Sequence, residues 1–122
     1  MGVRTRCLGA FGKRSKFNAK PTVVDGIRFA SGAEARRYCE LKVLQKAGHI
    51  RDLKCHPKYD LSVSDYDGDQ IKIGSYVADF RYYTEDGGEV VEDVKGFKTE
   101  LYRWKKKHME AEHGIVVKEI RA

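Results

Sequence analysis

Two short stretches decide how this chain is read: Tyr76-Val-Ala-Asp-Phe-Arg-Tyr-Tyr83 and Val90-Val-Glu-Asp-Val-Lys-Gly96. Both are rich in β-branched and aromatic residues, and Glu85-Asp-Gly-Gly88 between them is a turn signal, so they read as paired strands. Side chains alternate along a strand, which puts Asp93 and Lys95 on one face and Val94 on the other. Asp79 falls between apolar neighbours, where a carboxylate is costly without a partner or a purpose. If the strands pair through the hairpin, Asp79 and Asp93 approach each other. Two converging carboxylates make a hard-oxygen site suited to Mg²⁺ or Mn²⁺. A lysine beside them can orient a water and offset charge on a phosphoryl transition state. Taken singly, Asp93 and Lys95 are explained by a cross-strand ion pair and Asp79 by a strand-end turn. The combination is what points to chemistry.

Upstream of that hairpin, Thr22 to Phe29 reads as a short strand or hairpin turning at Asp25-Gly26. Ser31 and Glu34 stand in capping-box spacing and open a helix. Its apolar stripe is Tyr38, Leu41 and Leu44, and Ala47-Gly48 closes it. Ile50 to Val63 is extended but interrupted by Pro57, and Asp65 to Asp69 is a polar turn. Ile71 to Tyr83 is extended, with Gly74-Ser75 marking a kink. Downstream, Gly96 ends the strand. Thr99 caps a second helix through about Glu112, with Leu101, Trp104, His108 and Ala111 along its apolar face. Ile115 to Ile120 is a last strand. The order is helix, three-strand meander, helix, strand, an α/β (α+β) core with a mixed sheet flanked by helices.

The 122 residues, 41% hydrophobic and 34% charged, suit one globular domain. Residues 1–24 hold Arg4, Arg6, Lys13, Arg14, Lys16 and Lys20 and no acid, which accounts for the whole formal charge of +6. We therefore expect a basic arm over residues 1–21 and a single domain over 22–122. The arm is equally readable as a solubilising tail or as a phosphate-backbone contact. No apolar run approaches the ~20 residues of a membrane span, and the N-terminal stretch lacks the apolar segment of a secretory signal. Three widely spaced cysteines, Cys7, Cys39 and Cys55, argue for a reducing compartment and against a disulfide scaffold. The expected location is cytoplasmic.

Asp79, a hairpin-length gap, then Asp93-Val94-Lys95 resembles the motif of the PD-(D/E)XK nucleases, the restriction-endonuclease-like superfamily. From about Val24 to Ile120 the order of elements is similar to that superfamily's αβββαβ core. The phrases FASGAEARRYCEL, YVADFRYY, VVEDVKG and YRWKKK resemble a small phage-encoded family of such proteins. One departure is Ala78, where the superfamily's name has proline. The resemblance implies a metal-dependent endodeoxyribonuclease of a phage, acting in the cytoplasm of a bacterial host. Glu34, Asp79 and Asp93 would bind Mg²⁺, with Mn²⁺ as substitute, the Val94 carbonyl would complete the coordination, and Lys95 would assist the attacking water. It also implies cleavage that leaves a 5′-phosphate and a 3′-hydroxyl. Glu34 has a second reading, as the partner of Ser31 in the capping box alone. Its place on the stripe with Tyr38 and Leu41 favours the site.

DNA is the expected partner. Beside the arm's Arg4, Arg6, Lys13, Arg14 and Lys16, the second helix offers Tyr102, Lys105 and Lys106 next to the Asp93-Val94-Lys95 strand. The bland account of those lysines is a solvated helix face. Arg36 and Arg37 are weaker candidates, since Glu40 can pair with one of them. So small a domain leaves little room for reading sequence, which points to branched DNA such as a Holliday junction. A resolvase makes two paired cuts, hence a homodimer. Neither a membrane nor a nucleotide cofactor is expected. Cys55-His56 with His49 lacks zinc spacing, and His108 and Cys39 read as packed core residues. The rival functions are a non-catalytic nucleic-acid-binding protein and an interaction subunit in phage recombination or packaging.

Overall fold

The computed structural model describes residues 20–122. Strands β1 (Thr22–Val24) and β2 (Ile27–Phe29) form a hairpin whose turn, Asp25-Gly26, lies in the left-handed region (φ 54° and 78°). Helix α1 (Gly32–Lys46) follows. Ser31 caps it, its hydroxyl accepting the Glu34 N–H at 3.2 Å, and Tyr38 and Leu41 of the expected stripe are buried.

Next come β3 (Ile50–Cys55), β4 (Lys58–Ser64), β5 (Gln70–Val77), β6 (Phe80–Thr84) and β7 (Glu89–Lys95). After them stand α2 (Glu100–His113) and β8 (Val117–Arg121). The central sheet has the order β3-β6-β7-β8, with β7 and β8 parallel and the other neighbours antiparallel. Parallel pairing of β7 with β8 requires a crossover, and α2 provides it. The fold is thus mixed α+β, with two helices and a mixed sheet.

The meander differs from the expected one in a way that positions the site. The two long extended runs do not stay in one sheet. They form one antiparallel ribbon from Ile50 to Thr84 that breaks at His56-Pro57 and Ala78-Asp79. Cys55 pairs with Phe80 before the break and Lys58 with Val77 after it, so the register carries straight through. Pro57 has no N–H for the ladder, and His56 sits at φ 55°. Two backbone bonds bridge the break, His56 N–H to Asp79 O at 2.9 Å and Ala78 N–H to Pro57 O at 3.0 Å. Beyond it β4 and β5 leave the sheet as a separate hairpin. Asp79 therefore lies in the two-residue gap between β5 and β6, not at a strand end within one continuous strand. The kink expected at Gly74 is a register shift opposite Leu61 and Ser62.

Two apolar clusters result, one on each face of the sheet. Val24, Phe29, Ala35, Tyr38, Leu41, Phe80, Tyr82 and Val94 form the α1 side. Leu61, Tyr76, Ala78, Val91, Tyr102, Met109 and Val117 form the side covered by the β4–β5 ribbon and α2. The apolar face predicted for α2 is inverted: Tyr102 and Met109 are buried, while Leu101 and Trp104 are exposed. The ribbon is the reason, because it presents Leu61 and Tyr76 to that side of the helix. Its loose N–H at Ser62 is taken by Glu112 at 2.7 Å, fixing the helix orientation. Cys39, read as a packed core residue, is buried, and Cys55 is the free cysteine among the described residues.

One buried charge went unread in the sequence. Glu92 is fully buried, and Arg37 of α1 donates to both its oxygens at 2.8 and 2.7 Å while the Tyr82 hydroxyl donates as well. Arg37 also pairs with Glu40 at 2.9 Å, as its spacing allows. Removing one partner leaves a buried charge uncompensated, at a cost of about 3 kcal/mol or more. Arg37→Leu is therefore expected to lower the urea midpoint by that equivalent, and Arg37→Leu combined with Glu92→Leu to recover much of the loss.

Candidate functional site

The break in the ribbon leaves the edge of β7 open. Pairing of β6 with β7 runs from Tyr83–Glu89 to Phe80–Glu92, and the Asp79 N–H to Glu92 O bond at 3.0 Å is its last rung. Backbone groups of alternate strand residues point the same way, so the Val94 N–H and C=O face the side where β6 has ended. The Asp79 carboxylate replaces the missing strand there, its Oδ2 accepting the Val94 N–H at 2.6 Å. The Val94 carbonyl shares that open edge, where the sequence reading put a ligand.

Asp93 and Lys95 share a face, as the alternation predicts. Lys95 Nζ is 3.3 Å from Asp93 Oδ1. Asp93 is 2% exposed, and its other oxygen, Oδ2, accepts the Tyr76 hydroxyl from β5. Lys95 Nζ also lies 4.5 Å from the centroid of the Tyr102 ring, a cation–π contact. That ring is held by its own hydroxyl, which donates to Glu119 Oε2 at 2.9 Å, and Glu119 is anchored by Lys98 at 2.8 Å. Tyr76 and Tyr102 thus fix the acid and the lysine from beneath.

Glu34 reaches the same edge from α1. Its carboxyl is raised above the usual range by burial and by the Asp93 charge, against the Ala30 N–H, His56 and Lys95, which act to lower it. The cap and site readings of Glu34 therefore coexist: its backbone N–H serves the Ser31 cap while its side chain faces the acids. Asp79 is pushed up to about 8, by burial first and then by the charges of Glu34 and Asp93. Its bond from Val94 opposes the shift without overcoming it.

The structure brings Glu34, Asp79, Asp93, Lys95 and the Val94 backbone together. It adds His56 and Tyr76, which the sequence reading did not include. The sequence shows only that His56 precedes a proline, its left-handed backbone being visible in the fold alone, and nothing in spacing brings Tyr76 beneath Asp93. The donor set, three carboxylates and a carbonyl, is of the kind a hard divalent cation takes. Among the described residues no three acidic, histidine or cysteine side chains are already drawn around a single point.

The helix candidates fare unequally. Tyr102, expected as a DNA contact, is buried with its ring against Lys95. Lys106 is paired with Glu110 at 2.6 Å, and Lys105 is half-buried. Arg4, Arg6, Lys13, Arg14 and Lys16 lie outside the described residues. No helix among the described residues is long and apolar enough to cross a membrane.

Fold and site together define a small mixed α+β domain with a carboxylate–lysine cluster at a sheet edge. A family model described as "Protein of unknown function (DUF1064)" matches residues 14–121, and the chain belongs to that family. No curated protein and no solved structure matches it.

A carboxyl that binds its proton more tightly when folded stabilises the fold at low pH and loses that contribution as pH rises. For Asp79 the window runs from its ordinary value of 3.8 to about 8, and Glu34 acts with the same sign. In EDTA, stability is expected to fall across that window by up to about 1 kcal/mol per pH unit. Asp79→Asn is expected to flatten the slope in urea titrations at pH 5, 6, 7 and 8. An unchanged slope would mean that the acids do not press on one another.

Proposed function

We propose that this protein is a Mg²⁺-dependent DNA endonuclease with a PD-(D/E)XK-type site on a restriction-endonuclease-like αβββαβ core. The observation that carries the reading is the Asp79 carboxylate on the open edge of β7, accepting the Val94 N–H at 2.6 Å, with Lys95 Nζ 3.3 Å from Asp93 and Glu34 near enough to raise the Asp79 carboxyl. The element order supports it too: with the β1–β2 hairpin and the β4–β5 ribbon set aside, it runs α1, β3, β6, β7, α2, β8.

Glu34, Asp79, Asp93 and the Val94 carbonyl would hold Mg²⁺, or Mn²⁺ in its place. Bound there, the ion supplies a Lewis acid to the scissile phosphate and lowers the pKa of a water. Asp79 would serve as a ligand in its ionised form, with the Val94 N–H holding its Oδ2. Lys95, steadied by Asp93 and the Tyr102 ring, hydrogen-bonds the attacking water and balances charge building on the phosphoryl oxygens. Attack in line with the O3′ bond leaves a 5′-phosphate and a 3′-hydroxyl. The substrate class we propose is branched DNA, cut by a homodimer in phage DNA metabolism, with the residue 1–21 arm on the phosphate backbone.

The test is cleavage of labelled four-way junction, nicked, single-stranded and linear duplex DNA in Mg²⁺, Mn²⁺ or EDTA. Metal-dependent cutting, strongest on the junction, is expected, with Asp93→Asn and Lys95→Ala each slowing it at least about 100-fold. No cutting under any condition, or variants as active as the parent, would leave a nucleic-acid-binding protein without catalysis. Mg²⁺ is further expected to raise the thermal midpoint more at pH 8 than at pH 5, since protons compete for the same carboxylates. Asp79→Asn should remove that difference.

A further inference from the structure

Phe97, Leu101 and Trp104 are 81%, 65% and 73% exposed, three large apolar side chains in eight residues. Phe97 is the second residue after Lys95, and Leu101 and Trp104 are one helical turn apart on the outer face of α2. Helix architecture does not account for them. Thr99 is the N-cap, so the positions of a hydrophobic staple fall to Lys98 and Arg103, not to Phe97. The core beneath α2 is filled by Tyr102 and Met109.

The surroundings of the patch select its occupant. From Phe97 to Lys107 the chain carries five cations, Lys98, Arg103, Lys105, Lys106 and Lys107, against one acid, Glu100. Lys98 and Lys106 are engaged by Glu119 and Glu110, while Arg103, Lys105 and Lys107 make no ion pair among the described residues. Exposed aromatic rings set among unpaired cations match a strand that offers bases and phosphates together. An apolar protein partner would gain nothing from the cations, and a continuous duplex hides the faces of its bases.

We propose that Phe97, Leu101 and Trp104 form a stacking platform for unpaired nucleobases, beside the Lys95 site, with Arg103, Lys105 and Lys107 holding the flanking phosphates. The proposal rests on the nucleic-acid reading above and gives it a structural preference: DNA whose bases are unstacked, as at a branch point or in a single strand. It does not depend on cleavage.

Trp104 is the single tryptophan of the chain, so its emission reports on the platform directly. The full-length protein in EDTA would be titrated with short single-stranded oligothymidylate, with duplex DNA and with inorganic polyphosphate. Oligothymidylate is expected to quench Trp104, polyphosphate to bind without quenching, and Phe97→Ala to weaken oligothymidylate binding about tenfold while leaving polyphosphate binding unchanged. Equal quenching by polyphosphate, absence of quenching, or equal loss of both ligands in Phe97→Ala would overturn the platform. So would a concentration-dependent dimer in sedimentation that Trp104→Ala abolishes, which would assign the patch to a second copy of the chain. Selective quenching without any metal-dependent cleavage would leave the platform standing and remove the nuclease.

Discussion

One hydrogen bond organises the site: the Val94 N–H donated to the Asp79 carboxylate at 2.6 Å. It exists because the ribbon of β3–β6 breaks where Pro57 has no N–H to donate and His56 takes a left-handed conformation. At that break the chain has stopped pairing with β7, yet β7 continues for three more residues. Its Val94 N–H needs an acceptor, since a buried backbone donor without one is costly. Asp79 supplies it from a side chain. The same bond thereby holds a carboxylate at the edge of the sheet, one residue from both Asp93 and Lys95.

Much of this was legible in the sequence for a simple reason. Strand alternation over Val90 to Gly96 needs no tertiary information, so the shared face of Asp93 and Lys95 follows from spacing. Caps are equally local, which is why Ser31 and Thr99 mark both helix starts. What was not legible depends on partners far away in the chain. Pro57 signals an interruption but not where the ribbon goes after it, and that route determines which face of α2 is buried. Leu101 with Trp104, and Tyr102 with Met109, are apolar pairs of similar strength on opposite sides. Only the presence of Leu61 and Tyr76 beneath the helix chooses between them. Arg37 and Glu92, 55 residues apart, meet for the same non-local reason.

That inversion changes the meaning of two aromatic residues. Tyr102, turned inward, ceases to be a surface contact and becomes the ring against which Lys95 rests. Trp104, turned outward, leaves the core and gives the basic face of α2 an apolar surface. The polar tip of tyrosine explains the direction. A buried tyrosine needs a partner for its hydroxyl, and Glu119 on β8 is placed to accept it. The choice of buried face therefore couples the helix to the lysine, through a strand that lies last in the sequence.

Among the described residues, Glu92 and the acids around Asp79 are treated differently, and the difference bears on the proposed function. Glu92 is fully buried, yet the fold surrounds it with Arg37 and Tyr82 so that its charge is matched. Had the same logic governed the other group, Asp79 and Glu34 would face arginines as well. They face each other and Asp93 instead, with one lysine, Lys95, and one histidine, His56, for three carboxyls. Burial together with like charge drives Asp79 up to about 8, a state that opposes folding increasingly as pH rises from 3.8 to about 8. A fold that satisfies Glu92 so fully has the means to satisfy Asp79. That cluster is left with less opposite charge than Glu92 has, on an open sheet edge with the Val94 carbonyl beside it, and this imbalance is what the proposal of a bound cation rests on.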